Sequence, residues 1–191
     1  MALIAITGDI GAGKSTVAVL YAKKFSCPIL NADEITGLLW QLDSIKGIFV
    51  DRWNNKILDD SGNIIKSEIS KRIFSDFNEY KFCVSVFHPL VMAEIQAKHE
   101  ELSSAYEYIV AEIPLLFEAC ETPPDWINHI VYVTADFETR LSRVQAQRGW
   151  NIDELKRRES FLLPNLDKMK LSNEIIKNNG SFQDLFLRIM L

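Results

Sequence analysis

The sequence predicts an α/β fold in which helices cover both faces of a parallel sheet. Short apolar segments such as Leu3–Ile6 and Tyr108–Ile113 have the uninterrupted hydrophobicity of strands that are buried on both faces. Segments with apolar residues at helical spacing, such as Ser15–Phe25, alternate with them. Strands that alternate with helices are typical of a parallel sheet.

Five strands and at least seven helices are expected along the chain. The strands are predicted at residues 3–6, 28–30, 108–113, 129–133 and 174–177. Helices are predicted at residues 15–25, 33–40, 67–74, 136–148, from about 153 and at 181–191. Pro89 is expected to open a further long helix, because proline suits a first helical turn. The segment 43–102 is too long for one crossover, so it is predicted to be a mostly helical insertion within one domain, 1–191.

Composition excludes several classes of protein. The 191 residues carry 21 Lys and Arg against 26 Asp and Glu, a net charge of −5 that argues against binding to a nucleic-acid backbone. The three cysteines form no CxxC pair, which favours a reduced, cytoplasmic setting. No apolar run approaches the ~18 residues of a membrane span, and the apolar N-terminus is expected to be a strand, not a signal peptide.

A phosphate-binding loop is the most specific motif. Gly8–Ser15, with the sequence GDIGAGKS, matches G-x-x-x-x-G-K-[ST] between a predicted strand and a predicted helix. An ordinary glycine-rich turn would not require the Lys-Ser pair. Lys14 is expected to reach the β- and γ-phosphates of ATP, and Ser15 to ligate Mg²⁺. The residues expected to bind ATP are Gly11, Ala12, Gly13, Lys14, Ser15 and Thr16. The fold expected is therefore the three-layer fold of P-loop nucleoside-triphosphate hydrolases.

Two acidic residues are candidates for the chemistry. Asp33 follows the second predicted strand, at the sheet edge where ligands of open α/β sheets bind. A carboxylate there can accept the proton of an attacking hydroxyl, or it can simply cap a helix. Glu112 interrupts an apolar strand, where an acid is costly to bury without a cation. It is a candidate second-sphere acid for Mg²⁺, or an acid that faces water at the strand end.

Arginines are concentrated in the segment 136–164, which is predicted to be a helical lid. Arg140 and Arg143 are three residues apart on one predicted helix, and Arg148 lies on the same helix. Guanidinium groups bind phosphate oxygens in pairs, so this segment is expected to close over ATP. The alternative is a solvated helix face.

With these elements placed, the chain resembles the dephospho-coenzyme A kinase family over nearly its whole length. The resemblance is carried by short motifs at residues 6–18, 31–33, 71–74, 87–91, 113–118, 138–143 and 178–180. The run Pro-Leu-Leu-Phe-Glu at 114–118 and the pair His88-Pro89 are more specific than the phosphate loop. Members of this family use Mg-ATP to phosphorylate the ribose 3′-hydroxyl of dephospho-CoA, the last step of coenzyme A synthesis.

The resemblance implies site residues and partners. Lys14, Asp33 and Arg143 are expected to be catalytic, with Asp33 as the base and Arg143 as a lid arginine. The segment 43–102 is expected to bind dephospho-CoA, with Arg72 and His88 near it. Without the resemblance, a histidine before a proline, such as His88, is more often a helix-entry or core residue than a catalyst. ATP and Mg²⁺ are the implied cofactors, and the oligomeric state stays open.

Four residues depart from the family pattern. Asp9 stands where the family usually has glycine, and Gly37 where it usually has arginine. Leu162 replaces a common glutamine, and Asn173 a common aspartate. These departures keep two alternatives open: a related kinase of another nucleoside or small alcohol, and a nucleotide-binding relative with impaired catalysis.

Overall fold

The central feature of the computed structural model, which describes residues 1–120 and 122–191, is a parallel sheet. Its strands are β1 (Ala2–Gly8), β2 (Ile29–Asn31), β3 (Tyr108–Glu112), β4 (Ile127–Thr134) and β5 (Glu174–Lys177). They lie in the order β2-β3-β1-β4-β5, and every neighbouring pair is parallel. The predicted α/β fold with a five-stranded parallel sheet is confirmed.

Ten α-helices occur in the described part of the chain. They are α1 (Lys14–Phe25), α2 (Ala32–Leu39), α3 (Asp43–Trp53), α4 (Lys66–Ile73), α5 (Phe77–Leu102), α6 (Leu116–Ala119), α7 (Phe137–Arg148), α8 (Ile152–Glu159), α9 (Asn165–Lys170) and α10 (Phe182–Met190). A 3₁₀ turn covers Asn55–Ile57. The short helices α6 and α9 were not predicted, because four to six residues are too few to show helical periodicity.

The chain forms two compact units. The first comprises residues 1–32 and 95–191 and contains the whole sheet. Its core joins apolar side chains of β1, β3, β4 and β5 to the buried faces of α1 and α10. Strand residues on the opposite face, such as Leu3, are buried as well, which explains why the strands are continuous apolar runs. It also sets the carboxyl ends of β1 and β3 side by side, with Ile6 opposite Glu112.

The second unit, residues 33–94, has an aromatic core of its own. Phe49 is fully buried at its centre. The Phe49 ring lies 4.5 Å from the Trp40 ring, 5.0 Å from the Trp53 ring and 5.4 Å from the Phe87 ring, measured between centroids. The unit is mostly helical, built from α2, α3, α4 and most of α5.

The helix expected to open at Pro89 begins instead at Phe77, and Pro89 lies inside it. The prediction was wrong because Phe87, with Phe82 and Val86 beside it, packs into the aromatic core and holds the preceding turns helical. Pro89 itself is exposed, where a missing backbone donor costs least. Likewise, α4 begins one residue before Ser67, the cap that we predicted.

Among the described residues, the helices are too short or too polar for any of them to cross a bilayer.

Candidate active site

The phosphate loop joins β1 to α1 and follows a path that only glycine can take at three positions. The φ angles of Gly8, Gly11 and Gly13 are 137°, 76° and 91°, all in the left-handed half of conformational space. A Cβ atom on Gly8 would lie 2.0 Å from the carbonyl oxygen of Val133. A Cβ atom on Gly13 would lie 2.6 Å from the Nδ2 of Asn178. The loop is therefore both curved and tightly packed.

The curved loop leads directly into the N-terminus of α1. Gly13 occupies the N-cap position of this 12-residue helix, and the first turn contains no acidic side chain. The backbone N–H groups of a first turn have no acceptor within the helix, and the helix dipole adds positive potential there. Together these features suit an anion such as a phosphate group.

Lys14 adds a full positive charge to the loop. Its Nζ donates to the carbonyl oxygens of Gly8 at 3.1 Å and Asp9 at 3.0 Å. The ammonium group is thus held along the inside of the loop by backbone acceptors. A cation held in this way can contact phosphate oxygens that enter the loop.

The carbonyl oxygen of Ala12 is a second anchor of the loop. It accepts hydrogen bonds from the Nη1 of Arg143 at 3.2 Å and from the Nδ2 of Asn178 at 2.8 Å. Arg143 was predicted as a lid arginine, and α7 places it against the loop. Sequence reasoning missed Asn178 as a site residue and expected only a turn there. The signal was its presence in one of the short motifs.

Ser15 and Glu112 form the oxygen-rich end of the site. The Ser15 hydroxyl donates to the Oε1 of Glu112 at 2.8 Å, and the Nδ2 of Asn31 donates to Oε2 at 3.3 Å. Glu112 is only 6% exposed, so it does not face water at the strand end. A hydroxyl beside a carboxylate is the oxygen donor set that Mg²⁺ prefers.

These two residues would hold a cation only with further ligands. Within residues 1–120 and 122–191, no group of three or more His, Cys, Asp and Glu side chains could hold a metal ion. Magnesium commonly retains water and takes phosphate oxygens as ligands, so a site with few protein ligands fits it. Ser15 and Glu112 are therefore the residues that could hold Mg²⁺ here.

Asp9 does not turn its carboxylate toward the inside of the loop. The side chain is 4% exposed and accepts hydrogen bonds from the Tyr132 hydroxyl and, at 2.6 Å, from the Thr134 Oγ1. The Nε of Arg140 lies 3.8 Å from the Oδ2 of Asp9. Burial, together with the bond to Asp9, raises the pKa of Tyr132, so this hydroxyl stays a donor. The residue that departs from the family pattern is thus fully engaged with β4 and α7.

Arg140 contacts the phosphate loop as Arg143 does, since its Nη1 donates to the Ile10 carbonyl oxygen at 3.3 Å, but its side chain is buried and paired. Its side chain is 8% exposed, its Nε donates to the Ala135 carbonyl oxygen at 3.0 Å, and its Nη1 forms an ion pair with Glu159. Arg140 lies in the first turn of α7, so its side chain also reaches Ala135, just before the helix.

Other arginines in the segment 136–164 are also paired. Glu154 binds Arg157 at 2.6 Å and Arg158 at 2.7 Å. The guanidinium carbons of Arg148 and Arg158 lie 4.8 and 4.0 Å from the centre of the Trp150 ring. The arginines of this segment therefore do not form a solvated helix face, and they do not all point toward the phosphate loop.

Three further predicted residues lie in the second unit. Asp33 is exposed in the first turn of α2, which begins one residue earlier. Arg72 lies in the last turn of α4, with its guanidinium carbon 5.9 Å from the centre of the Trp53 ring. His88 is half-buried in α5 and does not begin a helix. Their roles stay predictions.

The remaining departures from the family pattern, at Gly37, Asn173 and Leu162, fit the structure without a steric conflict. At Gly37, in α2, an added Cβ atom would meet no heavy atom within 4 Å. Asn173 accepts a hydrogen bond from the Ile130 backbone N–H at 2.8 Å and so aligns the start of β5 with β4. Leu162 follows α8 in a turn. None of the three disturbs the phosphate loop.

Known proteins resemble this chain over nearly its full length. The family model for dephospho-CoA kinase matches residues 2–184. A dephospho-CoA kinase of Carboxydothermus hydrogenoformans is 33% identical over 183 residues, which cover 95% of this chain and 87% of that protein.

Solved structures agree in fold. The Thermus thermophilus protein TT1252 is 31% identical, with a TM-score of 0.72 and coverage of 96% of this chain and 92% of that one. A Campylobacter jejuni dephospho-CoA kinase, 22% identical, shares the fold with a TM-score of 0.66, over 98% of this chain and 92% of that one. On the family match and the relative that is 33% identical, the chain belongs to the dephospho-CoA kinase family, a family of kinases.

Proposed function

We propose that this protein transfers the γ-phosphoryl group of ATP to the ribose 3′-hydroxyl of dephospho-CoA, the last step of coenzyme A synthesis. The observation that carries the proposal is a loop curved by glycines, with Lys14 along its inside and the Ser15–Glu112 pair at its end. The chain that contains this loop belongs to the dephospho-CoA kinase family. The loop supplies what phosphoryl transfer requires most, which is positioning and positive charge around the phosphates.

The phosphate-binding roles fall to the loop and the start of α1. The residues proposed to bind ATP are Gly11, Ala12, Gly13, Lys14, Ser15 and Thr16. Backbone N–H groups bind phosphate oxygens, and the Lys14 ammonium stabilises the charge that develops between the β- and γ-phosphates. Arg143, which contacts the loop through the Ala12 carbonyl oxygen, is proposed to stabilise the transferring group.

Mg²⁺ is proposed to bind at Ser15 and Glu112. The ion would neutralise phosphate charge when it is bound. The role of Ser15 is to offer its hydroxyl oxygen, and the role of Glu112 is to hold that hydroxyl in place. Asn31 keeps the second carboxylate oxygen of Glu112 engaged, so the acid remains fixed at the end of β3.

Asp33 is proposed as the general base. It comes two residues after Asn31 in the chain and is exposed, so its carboxylate is accessible to an acceptor. As the ribose 3′ oxygen bonds to the γ-phosphorus and ADP leaves, the hydroxyl proton passes to Asp33. The family resemblance supports this assignment, and a helix-capping role can coexist with it.

The acceptor is proposed to bind to the helical insertion, residues 43–102, with Arg72 and His88 contributing. The support is the family resemblance of the motifs at 71–74 and 87–91. Most of the insertion also lies in the second unit, residues 33–94, which has an aromatic core of its own. The segment 136–164 is proposed as the lid. An arginine and a histidine suit an acceptor that carries phosphate.

The decisive experiment is an acceptor assay. The protein is incubated with Mg-ATP and dephospho-CoA, and ADP and CoA are quantified, with a panel of other nucleosides and small alcohols alongside. Equal formation of ADP and CoA, with little ADP from the panel, supports the proposal. ADP formation only with another acceptor indicates a related kinase. Tight ATP binding without turnover indicates a relative that has lost catalysis, the alternative raised by Asp9 and Gly37.

A further inference from the structure

The Asp9 carboxylate presents an electrostatic problem at the proposed ATP site. It belongs to the phosphate loop, is almost fully buried, and lies one residue from Gly8, whose carbonyl oxygen holds Lys14. A buried negative charge repels a nearby phosphate far more strongly than an exposed one does, since water screens it poorly. The loop can bind ATP well only if this charge is neutralised.

The partners of Asp9 differ in what they can neutralise. Tyr132 and Thr134 donate hydrogen bonds to the two carboxylate oxygens, but both hydroxyls are uncharged. The positive charge comes from Arg140, whose Nε lies 3.8 Å from Oδ2. Arg140 is itself buried, so its field at Asp9 is also poorly screened.

Further contacts hold Arg140 in place against the loop. Its Nη1 donates to the Ile10 carbonyl oxygen at 3.3 Å. Its own carbonyl oxygen lies where a Cβ atom on Gly11 would be 2.9 Å away, so its backbone packs directly on the loop. The same Nη1 pairs with Glu159, the last residue of α8. One guanidinium group therefore connects Ala135, just after β4, with the loop and the end of α8.

We propose that Arg140 is a positioning residue for ATP. It neutralises Asp9, and its bonds to the Ile10 carbonyl oxygen and to Glu159 hold the guanidinium group in place beside that carboxylate. The inference rests on the proposed function only in that ATP is the ligand of the loop. It explains how this chain accommodates an aspartate in the loop without losing the site.

The test measures affinity for Mg-ATP without any acceptor, by calorimetry, on the full chain. Arg140→Gln leaves the Asp9 charge in place and is expected to weaken binding at least tenfold. Asp9→Asn combined with Arg140→Gln removes both charges, so its affinity is expected to return to within threefold of that of Asp9→Asn. A role in packing alone predicts the opposite, since the double variant would then bind as weakly as Arg140→Gln.

The matched control is Arg188→Gln, another arginine that bonds backbone carbonyl oxygens, at an exposed site on α10. It is expected to bind Mg-ATP as the unchanged protein does. Arg140→Gln within threefold of the unchanged protein overturns the proposal. If Arg140→Gln does not fold, the double variant, which lacks the Asp9 charge, decides. An affinity of the double variant tenfold weaker than that of Asp9→Asn then overturns the proposal. Failure of the acceptor assay would leave these affinities unaffected, so the two proposals fail separately.

Discussion

The Ser15 hydroxyl and the Glu112 carboxylate are joined by a hydrogen bond of 2.8 Å that connects the first turn of α1 to the last residue of β3. The register of the sheet makes this possible, because Ile6 pairs with Glu112 and brings the end of β3 beside the end of β1. The carboxylate is buried, and both of its oxygens are engaged by neighbouring side chains. This pair is the basis of the first prediction.

Glu112→Gln should raise the Mg²⁺ concentration needed for half-maximal activity. The amide has no negative charge and cannot accept from Ser15 and Asn31 through two oxygens, so the Ser15 oxygen is less well held. We expect an increase of about tenfold or more, in the range seen when groups that orient a metal ligand are removed. A magnesium titration at saturating ATP measures it. Glu100→Gln, at an exposed site on α5, is the control; an unchanged requirement in Glu112→Gln would contradict the metal assignment.

Lys14→Ala should abolish most ATP-dependent turnover. The substitution removes the ammonium group that lies along the inside of the loop. A preorganised donor to developing charge contributes about 10²- to 10³-fold to a rate, so a loss of at least that size is expected. Steady-state formation of ADP in the presence of dephospho-CoA is the measurement. Lys170→Ala, at an exposed site on α9, is the matched control for the loss of one lysine. Turnover above a tenth of normal in Lys14→Ala would refute the role.

Asp33→Asn should lower turnover while ATP still binds. The amide cannot accept the proton of the attacking hydroxyl, and general-base contributions are about 10²- to 10⁴-fold. Glu34→Gln, the adjacent acid in the first turn of α2, is the control and should keep its turnover. Calorimetry with Mg-ATP separates binding from catalysis. Near-normal turnover in Asp33→Asn would remove the general-base role.

Phe49→Ala should destabilise the second unit. Phe49 is fully buried and touches four other aromatic rings, so its loss removes apolar burial and leaves a cavity. Such substitutions cost about 3–5 kcal/mol. Urea unfolding followed by tryptophan fluorescence measures the change. Phe77→Ala, at a position that is half exposed, should cost much less, and equal losses would show that the aromatic core is not the source of stability.

Glu79 should make the stability of the protein depend on pH in the acid range. Its hydrogen bond to Arg52, with a further one from the Trp53 Nε1, lowers the pKa of its carboxyl below the ordinary 4.5. The stabilisation is therefore present above pH 4.5 and is lost as the pH falls through the lower, folded pKa. Glu79→Gln should lower the free energy of unfolding by about 1 kcal/mol near pH 6. The difference should shrink near pH 3; a constant difference would contradict the assignment.

The parts of the site that could be predicted from sequence are those whose conformation depends on residues close together in the chain. The spacing of glycines before Lys14 and Ser15 requires a curved loop between a strand and a helix, and the structure has that loop. The continuous apolar strands likewise indicated a sheet buried on both faces. In each case the pattern lies within about ten residues of chain, so it needs no knowledge of distant neighbours.

The parts that could not be predicted depend on packing between distant segments. The direction of the Asp9 side chain follows from the position of Tyr132 and Thr134 on β4, which only the sheet register determines. Arg140 and Arg143 both contact the phosphate loop, as their helical spacing allows, but the pairing of the buried Arg140 with Asp9 depends on the distant β4. The start of α5 was missed because tertiary packing of Phe87 outweighed the local signal of Pro89.

Asn178 has a consequence for how the protein is made. Its side chain holds the Ala12 carbonyl oxygen across 166 residues of sequence. Since the C=O and N–H of a trans peptide point in opposite directions, this bond also orients the Gly13 N–H away from Asn178. A ribosome adds this anchor only 166 residues after Ala12. The nascent chain therefore contains the whole glycine motif long before Asn178 can hold the loop in its folded conformation.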